Sequence, residues 1–144
     1  DGVSPTVAYL IQKLDEERMA LLKALGYEAQ PDPVTSVQQG YARSTDYYEC
    51  YKNGPGFTGF RNPNTLDNRY IHEDVGMGLV IFCSLGKFLK IPTPTSQAVV
   101  GIGEAISGIN YSTEGNRTLK SMGLEGLSVE ELKTYLETGE MPTI

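Results

Sequence analysis

The chain has 144 residues, the length of one ordinary domain, and folding at that size buries roughly 70% of the extended chain's surface, so a core can form without covalent staples. A net charge of −6, with twelve scattered Lys and Arg, argues against a nucleic-acid partner. The longest uncharged run, Val75 to Gly86, falls well short of the ~20 residues of a membrane span.

Cys50 and Cys83 are too few for a disulfide framework and lack the close spacing of a redox or zinc pair, so they read as reduced thiols in a cytoplasmic protein. No basic-then-apolar leader opens the sequence. It begins at Asp1, without Met, and should enter helix within a few residues, which suggests a piece of a longer protein with a domain upstream.

Ser4-Pro5 combines an N-cap side chain with proline at the first helical position, and Gly26 supplies a stop, so a helix is predicted over Pro5 to Leu25. Val7, Ile11, Leu14, Leu21, Leu22 and Leu25 share one stripe of it at roughly 100° per residue. Arg18 falls inside that stripe. A charge on a core face needs a partner, and two kinds are open: a carboxylate of another helix, or a substrate carboxylate matched by the planar guanidinium fork.

Prolines and glycines then punctuate the chain to Asp67, with short helices expected at about Val34 to Arg43 and Thr45 to Tyr51. Tyr47 and Tyr51, four apart, share a face and are expected to pack against neighbouring helices. Asn53 to Asn68 is a long, polar, glycine-containing loop. His72 or Glu73 should open the next helix, which runs to about Leu89 and is apolar nearly all round, the pattern of a central buried helix.

After Ile91-Pro92-Thr93-Pro94, Thr95 is the expected N-cap of a helix through about Ser107, with Ala98, Val99, Ile102, Ala105 and Ile106 facing inward. Gly101-Ile102-Gly103 lacks the third glycine and the preceding strand of a dinucleotide fingerprint. A short helix around Thr113 to Met122 should follow. Ser128-Val129-Glu130-Glu131 is a capping box that starts a last helix, closed by Gly139. No stretch alternates with period two for long, so the expected fold is all-α.

His72 is the only histidine. Neighbours in a helix point apart, so His72, Glu73 and Asp74 cannot converge on one metal ion, and no metal site is expected. What remains is Asp74 five residues after Arg69. The Arg could hold an acid substrate while the Asp orients a general base from elsewhere; an ordinary surface ion pair fits the spacing equally well.

At these residues the sequence resembles the C-terminal helical domain of the octopine/nopaline (opine) dehydrogenase family. The matching stretches are Asp15-Glu16-Glu17-Arg18 with Ala24-Leu25-Gly26, then Arg69 to Val75 with Gly78-Leu79-Val80, then Ile91 to Thr95, and finally Arg117-Thr118-Leu119 with Met122-Gly123-Leu124. They cover nearly all of residues 1–144, in order. The resemblance implies an all-α, multi-helix domain like the C-terminal domain of 6-phosphogluconate-dehydrogenase-like enzymes. It also implies an enzyme that joins an amino acid to a 2-oxo acid and reduces the imine with NAD(P)H.

By that resemblance NAD or NADP is bound mainly by an upstream Rossmann domain that these residues lack. By the same resemblance Arg69 would bind the 2-oxo acid carboxylate and Asp74 would polarise a catalytic His supplied upstream; Arg18, from its place on the helical stripe, is a further substrate-binding candidate. His72 occupies a variable position of the motif. The fragment alone is expected to be inactive, and a homodimer is possible. The competing reading is a stand-alone helical interaction or dimerisation module. Two departures stand out: Gly76 where the family commonly has Pro, and Asn116 interrupting the usual Gly-Arg-Thr.

Overall fold

A computed structural model describes residues 2–61, 63–115 and 117–141. Among them there is no strand, and the chain is all-α as expected. Asn116, one of the two departures noted above, lies outside the described residues.

Helix α1 (Pro5–Ala24) starts as its sequence dictates: the Ser4 hydroxyl accepts the Val7 amide at 3.2 Å, and Gly26 ends the helix at φ 84°. Two short helices follow, α2 (Asp32–Gln38) and α3 (Tyr47–Asn53), the latter capped by the Asp46 side chain, and then a tight 3-10 turn (Pro55–Phe57). The next rod begins two residues earlier than the sequence suggests. It is a wide π-helix (Tyr70–Leu79) that continues without a break into α4 (Val80–Leu89). Beyond it come α5 (Pro94–Ser107), the single-turn α6 (Tyr111–Glu114) and α7 (Val129–Thr138).

The π-helix and α4 form the middle of the domain, packed on α5, with α1 running against both α4 and α5. Apolar side chains gather at the two ends of this rod. One cluster is Leu25, Leu119, Leu124 and Leu132, with Leu85, Phe88 and Leu89 against it; the other is Val80, Val100 and Tyr111, with Ile71, Val75 and Leu79. Leu132, 1% exposed, contributes roughly 2 kcal/mol by leaving water, and it docks α7 onto the domain. The capping box is formed as expected: Ser128 accepts the Glu131 amide, Glu131 accepts the Ser128 amide, and Gly139 closes the helix at φ 75°.

Several local expectations are corrected. The rod is central but not sealed: Val80 and the glycines Gly76 and Gly86 are buried, while Met77, Gly78 and Lys87 are exposed. Val7 is exposed, and the buried positions of α1 are Ala8, Asp15, Glu17 and Leu21. The helix expected over Thr113 to Met122 stops after one turn, and Thr118 and Ser121 close a separate turn on each other's hydroxyls.

Helix α5 is turned the other way from its expected orientation. Ala98, Ile102, Ala105 and Ile106 face outward, and Ser96, Val100 and Gly103 face in. Both faces are apolar enough that periodicity could not choose between them. Two tertiary contacts do: Ser96 is held by Glu17, and Gly103 lets Val75 approach so closely that a Cβ there would stand 2.8 Å from Val75 Cγ1.

Candidate functional site

The polar side chains fall into two sets. The first grows out of α1. The buried Glu17 carboxylate accepts the Thr95 amide at 2.6 Å, the Ser96 amide at 2.9 Å and the Ser96 hydroxyl at 2.6 Å. The free amides at the start of α5 are therefore satisfied by a side chain 78 residues earlier, not by Thr95 as its own N-cap.

Asp15 does the same for α2, accepting the Asp32 amide at 2.8 Å, the Tyr47 hydroxyl at 2.7 Å and Arg18 Nε at 2.6 Å. Burial pushes the Asp15 carboxyl up, but the bonds from Arg18, Tyr47 and the Asp32 amide outweigh it and hold it below its ordinary 3.8. Burial, reinforced by the Asp15 bond, raises the Tyr47 phenol; burial and its bond to Asp32 raise the Tyr51 phenol.

Arg18 belongs to this set. Its partner is Asp15, three residues back on its own helix, not a carboxylate of another helix, and its Nη2 donates to the Gln30 carbonyl at 2.6 Å. The geometry of α1 allows this because residues three apart sit on one face. Tyr47 and Tyr51 pack and bond to Asp15 and Asp32, in line with the structural expectation for them.

The second set opens the π-helix. Asn68 accepts the Tyr70 amide on Oδ1 at 2.9 Å, so it is the capping side chain here. Arg69 Nε lies 3.3 Å from Glu73 Oε2, with the two side chains 73% and 56% exposed, and the guanidinium stands 5.8 Å from the Tyr70 ring centroid. The pair is thus Arg69–Glu73, not Arg69–Asp74. Asp74 is exposed and has no hydrogen bond or ion pair among the described residues.

The width of the helix matters here. In an ordinary α-helix Arg69 and Asp74 would project about 140° apart. In a π-helix the hydrogen bonds reach five residues instead of four, as where the Val80 amide donates to the Val75 carbonyl, so five residues make only a little over one turn. By that spacing two side chains five residues apart project closer together than an α-helix would place them.

Behind this face His72 bridges two groups. Its Nε2 lies 2.7 Å from the Asp67 carboxylate and its Nδ1 2.6 Å from the Tyr111 hydroxyl. A carboxylate only accepts, so Nε2 carries the proton; in the neutral ring Nδ1 then accepts from Tyr111. The Tyr111 ring is buried over Gly76, where a Cβ would stand 2.7 Å from two ring carbons.

Tyr111 and Asn68 escaped the sequence reading. Asn68 had a signal, a polar cap residue just ahead of a periodic run. Tyr111 had none, because nothing in Gly76 names the ring that fills its space.

Neither cysteine is a nucleophile candidate: burial raises both thiols, and Cys50 is fully enclosed. Among the described residues no three His, Cys, Asp or Glu converge as metal ligands, and no helix is long and apolar enough to cross a membrane. Gly101-Ile102-Gly103 lies in the interior of α5, not in a phosphate-cradling turn. A cleft of ≈ 680 Å³ is lined by Met19, Lys23, Tyr27 and Glu28, and another of ≈ 480 Å³ by Ile11, Tyr51, Phe57 and Phe60; Arg69 and Asp74 line neither and stand on open surface.

Known proteins resemble this chain in sequence and in fold. An opine dehydrogenase of Arthrobacter sp. (strain 1C) is 33% identical over 138 residues, which is 95% of this chain and 38% of that protein. The protein ocs of Agrobacterium tumefaciens (strain Ach5) is 26% identical over 85% of the chain and 34% of its own length; for the vitopine synthase of Allorhizobium ampelinum the figures are 27%, 85% and 34%. The chain thus spans little more than a third of the curated relatives it matches.

In fold it superposes on a solved octopine dehydrogenase with NADH and L-arginine, at a TM-score of 0.70 and 12% identity, over 99% of this chain and 41% of that one. The family model for the alpha-helical domain of NAD/NADP octopine/nopaline dehydrogenases matches residues 1–107, about three quarters of the sequence, and the chain belongs to that family.

Proposed function

We propose that this chain is the substrate-gripping part of an opine dehydrogenase, a longer polypeptide that condenses the amine of an amino acid with a 2-oxo acid and reduces the resulting imine. The observation that carries this reading is the exposed start of the π-helix, where a guanidinium held only by a surface ion pair and an unpartnered carboxylate lie five residues apart. Buried charges in this domain are saturated with bonds, and these are not.

In this reading the Arg69 fork leaves Glu73 and takes the 2-oxo acid carboxylate. Asp74 accepts the N–H of an imidazole from the rest of the polypeptide, fixes its tautomer, and stabilises the imidazolium once the ring has taken a proton. Arg18 has a structural task instead, tying α1 to the segment ahead of α2. The hydride comes from NAD(P)H. The described residues offer no glycine turn for its diphosphate, so its binding falls to other parts of the polypeptide, and no step of this chain's chemistry runs through it.

Steady-state kinetics on the full-length polypeptide, followed by nicotinamide absorbance, test the reading. Arg69→Lys should raise KM for the 2-oxo acid by about tenfold, since a point charge replaces a bidentate fork. Near-wild-type constants in both Arg69→Lys and Asp74→Asn would mean the site is elsewhere.

A second reading, a helical interaction or dimerisation module, draws on the outward apolar face of α5, where Ile102 and Ile106 are exposed. It predicts self-association by sedimentation that Ile102→Lys abolishes, with Arg69 and Asp74 dispensable.

A further inference from the structure

The π-helix is an unusual register, and something must hold it. Wide turns are rarer than α-turns because their hydrogen-bond geometry is poorer, and they persist where surrounding contacts impose them. Here the contacts converge on one ring. Tyr111 is buried, its ring lies on Gly76, and its hydroxyl reaches back one turn to His72, so it touches the wide segment at two points on its inner side.

The fold fixes Tyr111 from both flanks. Asn110 caps the single turn of α6, its side chain accepting the Thr113 amide at 3.2 Å. The neighbour on the other side, Ser112, is held by Glu104 at the end of α5 through both its amide and its hydroxyl, each at 2.8 Å. Gly103 brings α5 up against Val75 in the same segment. A residue with a side chain at 76 would meet the ring, and an α-register would change where His72 stands relative to it.

We infer that Tyr111 is a positioning residue: by its bond to His72 and its seat on Gly76 it pins the π register that carries Arg69 and Asp74 to one side of the helix. Resting on the dehydrogenase reading above, this extends the site to a residue that touches neither substrate nor base. Tyr111 acts by setting the separation between the carboxylate anchor and the imidazole-orienting carboxylate.

The test uses the full-length polypeptide carrying Tyr111→Phe, which removes the hydroxyl, and separately Gly76→Ala, which unseats the ring. Crystal structures read the hydrogen-bond spacing over residues 70–79, and kinetics read KM for the 2-oxo acid against KM for the nicotinamide cofactor. The expected result is a shift of bonds in this segment from five-residue to four-residue spacing. KM for the oxo acid should rise about tenfold, KM for the cofactor should not change, and the unfolding midpoint of Tyr111→Phe should fall by no more than a few degrees.

Retention of the five-residue spacing in both variants overturns the inference whatever the kinetics, and lost spacing with an unchanged oxo-acid KM overturns the positioning role. If Arg69→Lys and Asp74→Asn are also as active as wild type, it is the dehydrogenase reading that has failed. The crystallographic spacing then decides alone whether Tyr111 is the pin.

Discussion

Of the carboxylate pairs that stand at the starts of helices, two are treated by the fold in opposite ways. Asp15 and Glu17 project from the middle of α1 into the N-termini of α2 and α5, are buried, and have their oxygens filled by amides, hydroxyls and a guanidinium. Glu73 and Asp74 lie in the first turns of the π-helix, exposed, one in a surface ion pair and the other without a partner among the described residues. A buried carboxylate must be satisfied or the fold loses free energy, so its bonds report structure. An exposed carboxylate such as Asp74 carries no such structural debt, so its place in the sequence is not explained by a bond within this domain.

If the contrast is real, mutations at the two pairs separate cleanly. The largest effect is expected for Asp74→Asn, which should lower kcat of the full-length polypeptide at least about 100-fold, because an amide cannot stabilise the imidazolium, while urea unfolding stays unchanged. Turnover close to wild type would erase the distinction at its functional end.

Glu17→Ala should do the reverse. It leaves the amides of Thr95 and Ser96 without their acceptor and should lower unfolding free energy by about 3 kcal/mol. A loss comparable to that of a surface substitution would show that the start of α5 is satisfied some other way.

The third effect is in pH. The folded Asp15 carboxyl titrates below 3.8, so its stabilisation is fully present above the ordinary carboxylate range and is lost as pH falls through the folded value. Asp15→Asn should therefore flatten the acid limb of the stability curve below about pH 4, as read by unfolding at a series of pH values. An unchanged limb would assign acid sensitivity to other groups. The smallest effect belongs to Glu73→Gln, where an exposed i,i+4 pair is lost: no more than about 0.5 kcal/mol in unfolding, screened further by salt.

The two regions also differ in how far they could be read before folding. Arg69, Asp74 and the helix that carries them stand out in the sequence as adjacent polar residues ahead of an apolar run, which is local information, although the spacing alone fits an ordinary ion pair equally well. The bonds of Glu17 were hidden, since nothing near Glu17 in the sequence names Thr95 or Ser96. Arg18 shows the limit from the other side: its place on the core stripe and its need for a partner were legible, but the partner was Asp15 on the same face of the same helix. The stripe pattern recorded Asp15 only as a polar residue.

What the sequence determined by itself is what short-range physics decides. Ser4-Pro5 and Gly26 bound α1, Ser128 and Glu131 box the start of α7, Gly139 ends it, and the absence of period-two alternation excludes sheet. Each depends on groups within four or five residues of one another, so the chain has little choice. Only the tertiary structure decided which face α5 turns inward, that Glu17 caps it, and that the helix bearing Arg69 and Asp74 is wide. The outward apolar stripe of α5 was as good a core face as the inward one until Glu17 took Ser96 and Gly103 met Val75. Tyr111 reaches His72 across 39 positions of sequence, and a contact that distant is specified by packing, where a ring needs space that only a glycine leaves.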